Sequence, residues 1–176
     1  MGTDAGRLVL GLDPGLAITG YGVIAAPNGS PELIEAGVLR MRKDRPLGER
    51  LKELHEGLHD IFSSLAISDV AIEQLYSHYE RPRTAILMGH ARGVLCLGAA
   101  NAGLPVHSYA STMVKKMLTG NGRAPKAQMQ HAIQLQLSLA QPPDPPDVAD
   151  ALAIALCHFY STKPLQQLLK SSRKNP

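Results

Sequence analysis

The stretch Arg7-Leu-Val-Leu-Gly-Leu-Asp13-Pro-Gly15 decides the architecture. It is a short apolar run ending at a Pro-Gly turn, which predicts a buried strand with a carboxylate at its end. Successive strand side chains point to opposite faces, so Asp13 shares a face with Val9 and Gly11, while Leu8, Leu10 and Leu12 point the other way. Thr19 to Ala26 and Glu32 to Arg40 follow as two more strands, and the breaks between the three hold Pro14-Gly15 and Pro27-Asn-Gly-Ser-Pro31. Strands joined by such short breaks predict an antiparallel meander.

A helix opens at Pro46, with Leu47, Leu51, Leu54, Leu58, Ile61 and Leu65 recurring at spacings of three and four. Ser68 to Glu73 repeats the opening pattern: a short buried strand ending in a carboxylate, with Glu73 on the face of Ala71 and opposite Val70 and Ile72. A Gly- and Ala-rich helix from about Thr84 to Asn101 comes next. Its Gly89, Gly93 and Gly98 let another backbone approach, inside the fold or across a dimer contact. The intramolecular contact is the expectation, because glycine costs helix stability unless close packing offsets it. Pro105 to Tyr109 makes a fifth strand, the Gly120-Asn-Gly122 turn separates two short helices, and Pro142-Pro-Asp-Pro-Pro146 leads into a last helix from Asp147 to Tyr160. Three antiparallel strands followed by alternating helices and strands predict an α/β fold, one mixed sheet with helices on both faces. With no repeat and no linker, residues 1–176 read as a single domain. From about residue 163 the chain becomes a basic, solubilising tail containing Lys170, Arg173 and Lys174.

Composition narrows the function. The chain has 176 residues, 44% apolar and 19% charged, the balance of a globular protein. No apolar run is long enough to span a bilayer, since Ala85 to Ala100 is interrupted by His90 and Arg92. The opening Met-Gly-Thr-Asp-Ala-Gly has no basic stretch followed by an apolar one, so no secretory signal is expected. Cys96 and Cys157 sit alone in apolar segments and read as buried thiols of a cytoplasmic protein. A formal charge of +3 is only mildly basic, but Lys115, Lys116, Arg123 and Lys126 cluster within a dozen residues.

Four carboxylates carry the chemistry. Asp13 and Glu73 occupy equivalent strand ends, and a buried carboxylate is costly unless it is paired or holds a metal. Asp147 and Asp150 are three apart on one face of the first turn of the last helix, followed by Ala151, Ala153 and Ala155, which let that helix lie close to a sheet. Singly, each has a plain structural explanation: Asp-Pro-Gly is a common turn, and an aspartate at a helix start is a common cap. Jointly they form a site of hard oxygen ligands, which suits magnesium or manganese rather than zinc. Two such ions can serve an in-line phosphoryl displacement. Tyr76 begins the polar stretch Ser77-His-Tyr-Glu-Arg81-Pro-Arg83, where an aromatic can stack on or wedge between bases. Lys115 and Lys126 flank the Gly120-Asn-Gly122 turn, where they can neutralise phosphates. Arg81 and Arg123 are further candidate DNA contacts. The seven histidines are scattered, and His55 and His59 read as solvated.

Leu10-Gly-Leu-Asp13-Pro-Gly-Leu-Ala-Ile-Thr19-Gly-Tyr-Gly-Val-Ile24, Val70-Ala-Ile-Glu73-Gln-Leu-Tyr76, Ala91-Arg-Gly93 and Asp147-Val-Ala-Asp150-Ala-Leu-Ala-Ile154 resemble the bacterial RuvC Holliday-junction resolvases, in order and spacing from about residue 7 to 160. The resemblance implies an RNase H-like five-stranded sheet and a homodimer. It implies symmetric, metal-dependent nicking of a four-way DNA junction that leaves 5′-phosphate and 3′-hydroxyl ends, and cooperation with the RuvA and RuvB branch-migration proteins. It carries the catalytic and metal-binding roles, with two Mg2+ or Mn2+ ions, onto Asp13, Glu73, Asp147 and Asp150. Tyr76 matches an aromatic that contacts junction bases, and Lys115 and Lys126 match DNA-contacting positions. Residues 77–83 and His90 depart from the family pattern, where Lys, Asn and Gln are usual.

Two other functions fit part of the pattern. A junction-binding module without catalysis would not need all four carboxylates. An actin-like or sugar-kinase-like ATPase would use Gly11-Leu-Asp-Pro-Gly15 as a phosphate loop, but the chain is short for two lobes and shows no second loop.

Overall fold

A computed structural model describes residues 6–75 and 82–163. Tyr76, Arg81 and the tail from residue 164 lie outside the described residues. The elements are β1 (Leu8–Asp13), β2 (Ile18–Ala25), β3 (Glu32–Arg40), α1 (Leu47–Ser64), β4 (Ile67–Glu73), α2 (Pro82–Asn101), β5 (Val106–Tyr109), α3 (Ser111–Thr119), α4 (Lys126–Gln136) and α5 (Pro146–Thr162). The expected meander is present, and all five strands form one sheet in the order β3-β2-β1-β4-β5. β1, β2 and β3 pair antiparallel, while β1, β4 and β5 pair parallel.

The alternation of β1 and β4 sorts the core into two layers. Leu10, Leu12, Val70 and Ile72 pack with Leu54, Leu58 and Ile61 of α1 and Ala91, Leu95 and Ala99 of α2. Val9 and Ala71 point to the other face and pack with α3, α4 and α5. From Val148 to Phe159 every residue of α5 except Asp150 is buried. A helix apolar on all sides needs cover on all sides, which the sheet and the α3–α4 pair supply.

Small residues set how near α5 comes to the sheet. A side chain at Gly11 would collide with the backbone carbonyl of Ala151 and lie 2.9 Å from the Ala155 Cβ. At Gly20 it would collide with the Asp147 carbonyl group. α5 therefore rests almost on the backbone of β1 and β2.

Three expectations need correction. Among the described residues, Gly98 of α2 packs inside the fold, against Leu58, whereas nothing lies within 4 Å of a Cβ at Gly89 or Gly93. The buried stripe of that helix is Ala91, Leu95, Gly98 and Ala99, which leaves positions 89 and 93 on the opposite side. Cys157 is buried but Cys96 is only half-buried. His59 is exposed as expected, whereas His55 is half-buried at a hollow between α1 and α2. Among the described residues, no helix is long and apolar enough to cross a membrane.

Candidate active site

Asp13 and Glu73 stand side by side because of strand register. Leu12 of β1 pairs with Ile72 of β4, so the residues that follow end adjacent parallel strands on the same face. The chain leaving Asp13 is held by Thr19, which is fully buried. Its hydroxyl donates to the Gly15 carbonyl at 2.6 Å and accepts from the Gly15 N–H at 3.2 Å. Asp13 pairs across β1–β2 with Gly20, the residue against which the Asp147 backbone rests. The first turn of α5 is thereby set over the end of β1, with Asp150 on its next step.

The electrostatics of the four groups agree with this placement. Burial pushes Asp13 up from 3.8 to about 8, and Asp150, Glu73 and Asp147 all push in the same direction, against a smaller opposing pull from Lys126. Burial also raises Glu73, with Asp150 adding to it and Lys115 opposing. Asp150 is raised by burial first and by Asp147, while Lys126 and Lys115 pull it down. Asp150 is exposed as a residue and lines the cleft beside Glu73.

That cleft has a volume of about 250 Å³ and is lined by Glu73 and Asp150, by Lys115 and Lys126, and by Ser111 and Gln130 among others. Arg123 is exposed on the α3–α4 connection, its N–H bonded to the Asn121 side chain, and does not line the cleft.

Carboxylates that raise one another in this way are short of positive charge. Two lysines at the rim offset part of the deficit, and a divalent cation offsets far more. The donor set is all carboxylate oxygen, which fits magnesium or manganese.

Two groups went unread in the sequence. Arg92 donates from Nε to the Glu73 carbonyl at 3.1 Å and from Nη2 to Ser108 at 2.7 Å, which ties the end of β4 to α2 and β5. The block Ala91-Arg-Gly93 was its only signal. The second group is Asp69, His107 and His158, the one set of three His, Cys, Asp or Glu ligand atoms that converge within 4.8 Å among the described residues. These residues are too far apart in sequence to form a local motif.

A mixed 3-2-1-4-5 sheet with carboxylates at its two central strand ends, faced by an acidic helix start, defines a nuclease of the RNase H-like fold. The model of one family, crossover junction endodeoxyribonuclease RuvC, matches residues 9–158, and the chain belongs to that family. It is 56% identical over 162 residues to the crossover junction endodeoxyribonuclease RuvC of Rhodopirellula baltica, covering 92% of this chain and 91% of that one. It is similar to Thermus thermophilus RuvC solved in complex with a Holliday junction substrate, with a TM-score of 0.82 and 32% identity over 88% of this chain and 94% of that one. The yeast mitochondrial Holliday junction resolvase Ydc2, at 11% identity and a TM-score of 0.66 over 96% of this chain and 84% of its own, shares the fold.

Proposed function

We propose that this chain resolves four-way DNA junctions in the cytoplasm by symmetric phosphodiester hydrolysis, with Asp13, Glu73, Asp147 and Asp150 as the catalytic, metal-holding set. The observation that carries this is the placement of Glu73 and Asp150 on a cleft bordered by Lys115 and Lys126, with burial and neighbouring carboxylates raising Asp13, Glu73 and Asp150. Two Mg2+ or Mn2+ ions held by these carboxylates would activate a water and stabilise the 3′-oxygen as leaving group, which would give each nick a 5′-phosphate and a 3′-hydroxyl. Lys115 and Lys126 neutralise the phosphates beside the cut, and Lys126 also eases ionisation of Asp13 and Asp150. Arg92 positions Glu73 through its carbonyl. Tyr76 and Arg81 contact junction bases and backbone, and Arg123 adds a phosphate contact farther out.

Symmetric nicking needs two sites, hence a homodimer. The exposed face of α2 supports one: Ile86, Gly89, Gly93 and Leu97 form a helical stripe, with Ile86 61% and Leu97 58% exposed. Among the described residues nothing lies within 4 Å of a Cβ at either glycine, which leaves room for a second copy. RuvA and RuvB are the partners that family membership suggests.

The test is cleavage of a synthetic four-way junction with magnesium and with manganese. Asp13→Asn and Asp150→Asn are each expected to bind the junction and to lose at least about 100-fold in rate, the scale for removing an electrostatic catalytic group. Undiminished cutting by both variants would overturn the assignment. Junction binding without product from the wild type would make the chain a binding module.

A further inference from the structure

Asp69 on β4, His107 on β5 and His158 on α5 meet at the other end of the face that carries the carboxylates. Asp69 precedes Glu73 by four strand residues and His158 follows Asp150 by eight helical ones, so about 12 Å separates the two clusters. His158 is fully buried and Asp69 nearly so, while His107 keeps one side open to solvent.

The ring nitrogens are the telling feature. Nε2 of His107 and Nε2 of His158 are both buried and have no hydrogen-bond partner. Both approach one atom, Asp69 Oδ1, at 3.4 and 3.8 Å. The remaining atoms of the group are engaged. Arg7 Nε donates to Asp69 Oδ2 at 2.5 Å, and the Tyr109 hydroxyl lies 2.8 Å from Nδ1 of His158. With Nδ1–H donating to that hydroxyl, Nε2 of His158 presents a lone pair toward Asp69, the arrangement that outer contacts impose on ligating imidazoles.

The geometry points to a second metal site, in which Asp69, His107 and His158 bind one divalent ion of the zinc class with water on the open His107 side. A tetrahedral ion bonded at about 2.0–2.1 Å needs ligand–ligand edges of roughly 3.4 Å. The two nitrogen–oxygen edges are already close to that. Imidazole donors select zinc, cobalt or nickel over magnesium, so this site and the carboxylates do not compete for the same ion. Arg7 already balances the Asp69 charge, which makes the site one of moderate affinity. A bound ion ties β4, β5 and the far half of α5 together, bracing the helix whose first turn bears Asp147 and Asp150.

The test is a Co2+ titration of metal-stripped full-length protein in excess Mg2+, read by visible absorption. The wild type is expected to take one equivalent with intense tetrahedral bands that Zn2+ displaces. Octahedral Co2+ on carboxylates absorbs only weakly, so the catalytic set does not mimic this signal. His107→Ala, at a half-exposed position, is expected to fold and to lose affinity by at least about tenfold, while junction cutting in magnesium is unchanged. Asp69→Asn gives a second loss of the bands if it folds. The absence of bands in the wild type overturns the proposal. So does an undiminished signal in His107→Ala, and a signal lost only in His59→Ala would place the ion on His55 and His59 of α1 instead, which also overturns it.

Discussion

Replacing Gly20 by alanine sets a methyl group against the backbone of Asp147. The added Cβ would stand 2.5 Å from the Asp147 carbonyl carbon and 3.1 Å from its Cβ, where ordinary contact begins at 3.4 Å. Both are stiff neighbours: one lies in the first turn of α5, the other in a strand hydrogen-bonded on both sides. Relief requires the start of α5 to lift by about 1 Å, and overpacking of this kind costs about 1–3 kcal/mol. In a chain of this size that lowers the Tm by roughly 2–4 °C per kcal/mol. The larger effect falls on cleavage. Asp147 and Asp150 ride on that turn while Asp13 and Glu73 stay with the sheet, and a misplacement near 1 Å costs about 100-fold in rate. The assay is single-turnover junction cleavage in magnesium beside thermal unfolding, with Gly48→Ala as the control, since nothing lies within 4 Å of that site. Junction binding is expected to persist. Cleavage by Gly20→Ala within about threefold of wild type would refute the close seating of α5 as the device that assembles the site.

Folding raises Asp13 from 3.8 to about 8, so the folded state binds more protons than the unfolded one between those values, and metal-free stability falls as pH rises through that window. Asp13→Asn removes this term. Discounted for sharing among four coupled groups and for solvent screening, it is worth about 2 kcal/mol, or roughly 4–8 °C in Tm at pH 8, and about nothing near pH 4. Magnesium is expected to close the gap by raising the wild type more than the variant; equal Tm values across the whole pH range would contradict it. Lys126→Ala is expected to reduce the salt slope of junction binding by about 0.9. It should also move the rising limb of the pH–rate profile to higher pH, because Lys126 holds down both Asp13 and Asp150. A weaker binder with an unmoved profile would make Lys126 a phosphate contact only.

Periodicity told the strands and helices apart because each signal is local. The alternation of Leu8 to Asp13 and the three-and-four spacing from Leu54 to Ile61 both survive in the buried faces, with Leu51 partly buried, whereas Leu47 at the helix start is exposed. Asp13 and Glu73 stood out for the same reason, each at the end of an apolar run, and Asp147 and Asp150 through their spacing of three at a helix start. What stayed hidden needs the partner to be known. Gly11 and Gly20 look like strand-weakening residues until α5 is seen lying on them. On α2 the reverse happened: Gly89 and Gly93 suggested an internal contact, but the helix is apolar on several sides, and only the sheet decides that Ala91 and Leu95 face inward. His107 and His158 could not be paired with Asp69 from sequence, since β5 must first align beside β4 and α5 must cross them.

The two clusters explain why α5 is so fully buried. A cluster of four carboxylates is held together against its own repulsion, and burial raises that cost, as Asp13 at about 8 records. The helix bearing two of them must therefore be fixed by something other than the site itself. Eleven buried residues from Val148 to Phe159 supply that anchorage along its length. Its far end adds the polar contact of His158 with Tyr109, beside the Asp69–Arg7 ion pair. The same geometry gives the two ends of α5 different donor sets. Hard oxygen donors stand over the carboxyl ends of β1 and β4, and imidazoles with a single carboxylate stand near the start of β4. Loosening the His158 end should therefore reach the carboxylates only through tilt of a rigid helix, and the cost in cleavage should scale with lost stability rather than with lost metal at the active site.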